Sequence, residues 1–405
     1  MNTNLEIGTK LLLLLLVLGC REAGGSVPLC NGVNKNSTLK LSALPELIVF
    51  EKDGRQEGLS AAYGGVLDGA VVVAGGCNFP GKPAAEGGEK VYYNEIYVLR
   101  DPDKAPAGWE EAGKLPLEAG CGASVTLPEG VVCIGGRNAV QALTRVWLLK
   151  WNTAGTSVVA EDLPELPEGM DNMAAATDGC NIYVAGGNIE GNPGNRCFVL
   201  KGIRARQWEE LPAFPGSARI QPVGSVLDGK FYLMGGFQPV VGGQKCQVLD
   251  DGVVYDPQTQ NWTKSKKMKL KGGNQVLGLV GASAVTLNNQ MMVVQGGVNP
   301  SVFKAAVDNP LLQQRAKVQG HTKKLERLKQ EQETYMKHEP EWYEFRSQLL
   351  FFYPEKQEWK GVGYFQELAR AGAVFVLYDN KLIVVNGETK PGIRSANVSM
   401  IDLGY

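Results

Sequence analysis

A carboxylate and a guanidinium group stand close together near the C-terminus, at Glu388 and Arg394, within the segment NGETKPGIR of residues 386–394. The Pro-Gly pair between them is typical of a tight bend. An arginine can hold a carboxylate through two parallel hydrogen bonds, and a glutamate can accept and return a proton. From the residue types alone, two interpretations stay open: a mutual ion pair that stiffens the bend, or a site that binds an anionic ligand and moves a proton.

The bend belongs to the last of six similar sequence units, in a chain of 405 residues with 51 glycines. In each unit an apolar run leads to a tight turn, a second apolar run and then a Gly-Gly or Asn-Gly pair. A turn such as Asp-Gly between apolar runs predicts a β-hairpin, because both central residues of a type I′ turn need positive φ. The turns lie at residues 67–70, 127–130, 177–180, 227–230, 287–290 and 377–380. The units repeat every 50 to 60 residues or so, with a longer last interval of about 90. Four strands in each unit of this size predict an all-β, six-bladed β-propeller.

The glycine pairs, together with the Tyr255-Asp256-Pro257 and Tyr353-Pro354 segments that precede tryptophans, resemble Kelch repeats. Four tryptophans fall where a Kelch blade begins its outer strand, and we expect them to pack between blades. They are Trp109, Trp208, Trp262 and Trp359.

The sequence also predicts how the two ends of the chain close the propeller. The last unit lacks a fourth strand, whereas residues 38–47 (TLKLSALPEL) read as a strand that precedes the first unit. We expect this segment to complete the sixth blade, so that the sheet has no open edge there. The propeller domain then spans residues 38–405.

The loops after the glycine pairs are long, while the turns between the first and second strands are minimal. In a propeller these long loops share one face, and a rigid scaffold with long loops on one side usually carries its site there. The longest loop, at about residues 301–345, contains a run of helix formers at residues 323–329 (KKLERLK). We predict a helical insertion that caps the axial pocket. His321 and His338 both lie in this insertion, and we expect them to be exposed to solvent.

The segment from Asn386 to Arg394 closely resembles a motif of the bacterial N-acetylneuraminate epimerases (sialic acid mutarotases). Two other segments resemble parts of the same family: GGVN followed by SVF at residues 296–303, and PGSARIQ at residues 215–221. The resemblance covers most of residues 38–405, but in permuted order. The Glu-Arg motif lies here in the last blade, whereas better-known members of the family carry it in the middle of the chain. A closed propeller tolerates such a permutation, because the termini can lie at any blade junction.

The resemblance implies that Glu388 is the proton acceptor and that Arg394 is a partner for the substrate carboxylate. It implies an isomerase that interconverts the α and β anomers of sialic acid or a related keto-sugar acid. The anomeric hydroxyl loses a proton, the ring oxygen gains one, and the ring opens to a keto acid that rotates and closes again. This chemistry requires no metal and no other cofactor.

Four further residues are candidates for substrate binding. Arg219 and Arg370 stand just before inner strands, so we expect both to point toward the axis and to bind the carboxylate or the glycerol side of the sugar. Ion pairs at blade junctions are the alternative for these two arginines. Asn299 and Phe303, in the segment before the insertion, are the other candidates.

The composition excludes several classes of function. Lys and Arg number 41 and Asp and Glu 42, which gives a net charge of -1 and argues against a nucleic-acid partner. With only 2 histidines, both in the insertion, a metal site built on imidazole is not expected, and a copper-radical oxidase on a Kelch propeller is rejected. A non-catalytic propeller that binds a glycan or a protein remains the alternative to an enzyme. The sequence leaves the oligomeric state open.

The N-terminus reads as a targeting segment. Residues 11–18 (LLLLLLVL) form an apolar run that follows Lys10 and is too short to span a bilayer, as expected of a signal peptide at residues 1–19. The sequence VLGC at residues 17–20 resembles a bacterial lipobox, so Cys20 is the predicted lipidation site and residues 20–37 a linker. We therefore expect a protein that is exported to the bacterial periplasm or anchored to a membrane as a lipoprotein. An ordinary cleaved signal peptide is the alternative.

The other cysteines are odd in number and form no CxxC pair, which argues against a disulfide scaffold, although an exported protein could form one bridge.

Overall fold

The computed structural model describes residues 3–6, 38–104, 108–271 and 277–404. The apolar run at residues 11–18, Cys20 and the linker at residues 20–37 lie outside the described residues. Within the described part, neither of the long helices has the apolar length that a bilayer crossing needs.

Six antiparallel sheets, here called blades 1 to 6, are arranged around one axis. Blade 1 contains Tyr63–Leu67, Ala70–Ala74, Glu95–Arg100 and Glu110–Lys114, and blade 2 contains Ala123–Leu127, Gly130–Ile134, Val146–Trp151 and Val158–Asp162. Blade 3 contains Ala174–Thr177, Asn181–Ala185, Cys197–Lys201 and Glu209–Leu211, and blade 4 contains Val223–Leu227, Lys230–Met234, Gly252–Asp256 and Asn261–Lys264. Blade 5 contains Ala282–Leu287, Met291–Gly296, Leu349–Tyr353 and Glu358–Val362, and blade 6 contains Val374–Tyr378, Lys381–Val385, Val398–Asp402 and Thr38–Leu44.

The innermost strand of every blade contacts the innermost strands of the two neighbouring blades, including those of blades 6 and 1. The ring is therefore closed, and the prediction of an all-β, six-bladed propeller is confirmed. Thr38–Leu44 pairs antiparallel with Val398–Asp402, with Leu41 opposite Ile401, which is the closure that the sequence predicts. Thr3–Glu6 adds a fifth strand at the outer edge of this blade. These four residues fall in the predicted signal peptide, so cleavage would remove the fifth strand and leave the four-stranded blade.

The local sequence explains the strands and their turns. The second strands are buried on both faces, as in the run Val71–Val73, where no residue is more than 1% exposed, and β-branched side chains suit such positions. Positive φ occurs at both central residues of the turns at Asp68–Gly69, Asp228–Gly229 and Asn288–Asn289, as type I′ geometry requires. The indole N–H groups of three tryptophans then donate to backbone carbonyls of a neighbouring segment, in the pairs Trp109–Pro45, Trp208–Pro164 and Trp262–Pro212.

A ring of backbone hydrogen bonds joins the blades close to the axis. The residue that leads into each inner strand adopts a left-handed conformation, with φ between 52° and 70°. These six residues are Ala61, Cys121, Asn172, Gln221, Gly281 and Gly372. At five of the six junctions within the described residues, the N–H of one member donates to the carbonyl of another at 2.7 to 2.8 Å. We call these six residues the axial ring.

The glycine pairs are required where the blades approach each other. At Gly296, whose φ is +67°, an added Cβ would lie 2.0 Å from the carbonyl oxygen of Arg370. Blade 6 has Asn386 in the first position of its pair, with φ of 55°. The Asn386 amide donates to the carbonyl of Leu47, in the closing segment, at 2.8 Å and to that of Ser395 at 3.0 Å. The departure from Gly-Gly in the last unit therefore helps to close the ring.

The predicted helical insertion is confirmed. It consists of helix α1 (Pro300–Val318), helix α2 (Thr322–Tyr335) and a short 3-10 helix at Pro340–Tyr343. Asn299 caps α1 by accepting the N–H groups of Ser301 and Val302. The remaining short elements are 3-10 helices at Ala84–Glu86 and Gln366–Leu368 and strands at Phe50–Lys52, Arg55–Glu57, Cys77–Asn78, Val91–Tyr92, Met170–Asp171, Asn188–Ile189, Asn192–Pro193, Phe237–Gln238, Gln247–Val248, Glu388–Lys390 and Ile393–Arg394.

Candidate active site

A cavity of about 810 Å³ opens on the propeller axis beneath the helical insertion, within the range of sites for small ligands. All six residues of the axial ring line its floor. Val302, Phe303, Tyr335 and Tyr343 contribute its roof. Its walls include Cys77, Lys90, Tyr92, Arg137, Glu388 and Arg394.

Glu388 and Arg394 face each other across a short strand pair. A Glu388 oxygen lies 2.6 Å from Arg394 Nη2, and the glutamate side chain is 26% exposed whereas the arginine side chain is 2% exposed. The carboxylate is thus the more accessible member of the pair, and both residues line the cavity. The ion pair, one of the two interpretations that the sequence left open, is formed, and it lies at the wall of the cavity.

Arg394 is held from several directions. Its Nε donates to Ser60 Oγ at 3.0 Å, and its guanidinium group lies 4.5 Å from the centre of the Phe79 ring, a favourable cation–π geometry. Its Nη1 is buried and has no hydrogen-bond partner among the described residues. An unpaired buried donor costs roughly 1–3 kcal/mol, so an acceptor on a bound ligand would be favoured there.

Burial raises the pKa of Glu388 above its usual value, and the positive charge of Arg394 opposes this change. The negative charge of an ionised Cys77 also raises the pKa of Glu388, while the positive charge of Lys90 lowers it. Glu57, a second buried carboxyl group, likewise has a raised pKa because of burial, opposed by Arg55 and Arg394. A carboxyl group whose pKa lies closer to neutrality can both accept and return a proton.

Two cysteines that sequence analysis did not select also line the cavity, Cys77 from blade 1 and Cys121 from the axial ring. The Cys77 sulfur lies 3.6 Å from Ser60 Oγ, the same hydroxyl that accepts from Arg394. The neighbouring Cys121 side chain lowers the pKa of Cys77 to about 5 despite burial. The same interaction and burial raise the pKa of Cys121 well above its usual value.

The residue after each glycine pair occupies an equivalent place in the repeat, next to the axial ring. Backbone pairing joins Ser60 to Cys77, Gly120 to Arg137 and Ala371 to Glu388. Superposing the six units in register would have selected Cys77 and Arg137 along with Glu388. This register is the signal that sequence analysis missed.

Arg137 and Lys90 are further cationic residues of the cavity wall. Within the described part of the chain, Arg137 makes a hydrogen bond from Nε to the Asn138 carbonyl at 3.4 Å and no ion pair. Tyr92, which is half-buried near Arg137, has a pKa raised by burial. The cavity wall therefore carries Arg137, Lys90 and Arg394 as cations and Glu388 as its acidic group, a balance that suits an anionic ligand.

The chain matches the family described as N-acetylneuraminate epimerase over residues 27–158 and 163–405. It belongs to the N-acetylneuraminate epimerase family. The N-acetylneuraminate epimerase of Haemophilus influenzae is 32% identical over 241 residues, which span 59% of each of the two chains. The Pasteurella multocida protein of the same name is 32% identical over 253 residues, or 62% of each chain. The solved structure of YjhT is 28% identical, with a TM-score of 0.48 over 57% of this chain and 61% of that one.

The match thus spans about three-fifths of the length of these curated relatives. Family membership carries over to this chain, while the order of the blades relative to other members stays a prediction. The segment from Asn386 to Arg394, which resembles a motif of this family, places Glu388 and Arg394 at the cavity.

Arg219 and Arg370 do not line the axial cavity, so the structure corrects the expectation that both point toward the axis; Arg370 lines a second cavity, which Asn299 also borders. Arg219 is 0% exposed; its Nη1 donates to the carbonyls of Gly235 and Asp251, and its Nη2 pairs with the Asp251 carboxylate at 3.1 Å. Its guanidinium is held at a blade junction, which is the alternative that the sequence left open.

Arg370 is 2% exposed. Its guanidinium donates to the carbonyls of Asn386 at 3.1 Å and Asn397 at 2.7 Å, and to the Ser399 hydroxyl at 3.2 Å. These bonds join the segment before blade 6 to the second and third strands of that blade. The guanidinium groups of Arg219 and Arg370 donate to neighbouring backbone carbonyls. They therefore cannot also point into the axial cavity.

Asn299 and Phe303 do line the cavity. Asn299 is largely committed to the cap, because its oxygen accepts the first N–H groups of α1 and its amide donates to Glu344 at 2.7 Å. Phe303 packs edge-on against Phe237 with ring centres 4.9 Å apart, so it presents an apolar surface to the ligand space.

The insertion is fastened to the strand pair that bears Glu388. Lys390 Nζ donates to the carbonyl of His338 at 2.9 Å, and the His338 ring stacks on Trp342 with centres 4.0 Å apart. His338 is half-buried, whereas His321 is exposed as expected. The roof and the ion pair are therefore positioned together.

We predict that Arg370→Gln destabilises the fold by about 1.5–3 kcal/mol, because bonds from a buried cation to two carbonyls and a hydroxyl are lost. Thermal unfolding measures this loss, and Arg206→Gln, at an exposed arginine, is the matched control with an unchanged midpoint. An Arg370→Gln protein that melts like the control but binds the sugar acid more weakly would contradict the structural role.

Proposed function

We propose that this chain interconverts the α and β anomers of N-acetylneuraminate, or of a related keto-sugar acid, by acid–base opening and closure of the sugar ring. One observation carries the proposal: in a member of the epimerase family, a glutamate with a raised pKa faces the axial cavity while bound to a buried arginine. The names of the relatives supply the substrate class, and the cavity supplies the acid–base group and the positive charge.

Glu388 is the group that moves the proton. Its carboxylate takes the proton of the anomeric hydroxyl, the bond between the anomeric carbon and the ring oxygen breaks, and the ring oxygen receives a proton from the protonated glutamate or from water. The resulting keto acid rotates about the bond next to the carbonyl carbon. Closure reverses these transfers on the other face, so that no atom is gained or lost and Glu388 returns to its starting state.

Positive charge orients the substrate. Sialic acid carries its carboxylate on the anomeric carbon, so a cation that holds this carboxylate also places the anomeric hydroxyl. Arg394 is fixed through Nε and Nη2 and keeps Nη1 unpaired within the described residues. Arg137, without an ion pair in the described part of the chain, and Lys90 supply further positive charge on the cavity wall.

The insertion supports the same chemistry by covering the cavity. Phe303 and Tyr335 contribute surface from α1 and α2 above Glu388, and Tyr335 has a pKa raised to about 12 by burial. A protonated tyrosine near a carboxylate adds no negative charge to the site. The roof limits the access of water while the open-chain keto acid rotates.

We expect Glu388→Gln to lower the catalysed rate of anomer exchange by about 10²–10⁴-fold, the usual contribution of a general acid–base group. The amide keeps the shape of the side chain but cannot accept the proton. NMR of freshly released α-sialic acid measures the exchange after subtraction of the spontaneous rate, and Glu118→Gln, at an exposed glutamate, is the matched control. Full activity in Glu388→Gln would remove this residue from the mechanism. A wild-type protein that binds the sugar but accelerates nothing would favour the non-catalytic glycan-binding propeller.

The same residue sets the pH dependence on the acidic side. Glu388 acts as a base only when it is ionised, and its pKa is raised above the usual carboxyl value. The catalysed rate should therefore be full above this raised pKa and should fall as the pH drops through it. This decline should be missing from the residual activity of Glu388→Gln.

Arg137→Gln should weaken substrate binding with little change in the maximal rate. A hydrogen bond between a cation and a carboxylate contributes roughly 1.5–3 kcal/mol, which corresponds to an increase in KM of about tenfold to a hundredfold. Saturation kinetics by NMR separate KM from kcat, with Arg206→Gln as the control. An unchanged KM would show that Arg137 does not contact the substrate.

We also propose that the chain is exported and lipidated at Cys20. The apolar run at residues 11–18 and the VLGC sequence at residues 17–20 support this proposal. A fatty-acid label fed to expressing bacteria should enter the wild-type chain and be lost in Cys20→Ser, while Cys30→Ser keeps it. Failure of the wild-type chain to take up the label would leave an ordinary cleaved signal.

A further inference from the structure

Two cysteines from neighbouring blades lie where the wall of the cavity meets its floor. The backbone of Cys77 pairs with Ser60, and the N–H of Cys121 donates to the carbonyl of Ala61 at 2.8 Å. Consecutive residues of one segment thus hold both cysteines, and both line the same cavity. Their proximity is a result of the axial ring and not of sequence spacing.

The cavity gives access to this pair from solvent. Both residues line it, although Cys77 is only 1% exposed. Among the other described cysteines, Cys133, Cys197 and Cys246 are buried and do not line this cavity, while Cys180 is exposed in a hairpin turn. A small reagent that enters the cavity therefore meets Cys77 and Cys121 together.

The two thiols differ in reactivity. The neighbouring Cys121 side chain lowers the pKa of Cys77, and the positive charges of Arg394 and Lys90 lower it further. Cys121 keeps its proton, because its own pKa is raised. A thiolate beside a protonated thiol is the arrangement in which one cysteine attacks an oxidant and the other resolves the product.

We propose that Cys77 and Cys121 form a redox modification site, which a hydroperoxide converts to a disulfide, and that this disulfide slows the reaction at the adjacent Glu388–Arg394 pair. The first part stands on the thiols alone. The second part rests on the proposed epimerase activity.

The chemistry balances with hydrogen peroxide as the oxidant. The Cys77 thiolate attacks one peroxide oxygen, which forms sulfenic acid and releases hydroxide. Cys121 then attacks the Cys77 sulfur, which forms the S–S bond and releases water once the proton of Cys121 is transferred. In sum, two thiols are oxidised to a disulfide and one hydrogen peroxide is reduced to two waters.

Ser60 couples the thiols to the ion pair. Its hydroxyl contacts the Cys77 sulfur at 3.6 Å and accepts from Arg394 Nε at 3.0 Å. A disulfide requires the two sulfur atoms to lie about 2.05 Å apart, which draws Cys77 toward Cys121 and changes its contact with Ser60. Arg394 then loses part of its fixed orientation next to Glu388.

The experiment treats the reduced full-length chain with hydrogen peroxide and follows both thiols and activity. Peptide mapping by mass spectrometry should find the Cys77 and Cys121 peptides joined, with the loss of two hydrogen atoms. Anomer exchange should fall by about tenfold or more, as expected for a misplaced catalytic group, and a phosphine reductant should restore it. In Cys121→Ser, Cys77 should stop at sulfenic acid and be trapped by dimedone. Cys180→Ser, which removes the exposed thiol, should respond to peroxide as the wild type does.

The two parts of the proposal fail in different ways. Peroxide that oxidises Cys180 while Cys77 and Cys121 stay reduced, or become joined to other cysteines, would overturn the redox site. A complete Cys77–Cys121 disulfide with unchanged anomer exchange would overturn the coupling through Ser60. If the untreated wild type shows no exchange at all, the proposed function fails, while the peptide map still decides the redox site.

Discussion

Backbone hydrogen bonds between left-handed residues at the blade junctions govern the arrangement of this molecule. Each inner strand begins at such a residue, and the carbonyl of one accepts the N–H of the next around most of the axis. The residue after each glycine pair forms backbone hydrogen bonds with the segment that leads into an inner strand. Its side chain therefore lies at the edge of the cavity floor. Glu388, Arg137 and Cys77 come from three different blades and reach one cavity for this reason.

The repeat is regular in its backbone and irregular in its side chains, and the irregularity shapes the cavity. On one side of the axial ring, Ala61, Gly281 and Gly372 leave open volume next to Glu388, while Asn172 and Gln221 fill the opposite side and hydrogen-bond to each other at 3.2 Å. Large side chains at all six places would reduce the volume of the cavity. The cavity therefore lies where small residues replace larger ones in the repeat.

The Glu388–Arg394 pair shows two opposing electrostatic effects. Burial favours the neutral carboxyl group, whereas the neighbouring guanidinium favours the ionised one. The balance leaves the pKa raised, which suits a group that must accept a proton and return it. Ser60 and Phe79 hold the arginine in place, so the carboxylate meets a fixed positive charge.

The sequence by itself determined the number of blades, the hairpin turns, the closing strand and the Glu388–Arg394 motif, because each depends on local backbone preferences or a short segment. The sequence did not determine where the charged ends of long side chains lie. Arg370 turns to carbonyls of its own blade and not to the axis, since a buried guanidinium needs acceptors that only the assembled sheets provide. The placement of Cys77 and Cys121 at one cavity likewise required the packing of blade 1 against blade 2, because contacts between blades leave no mark in the spacing of residues along the chain.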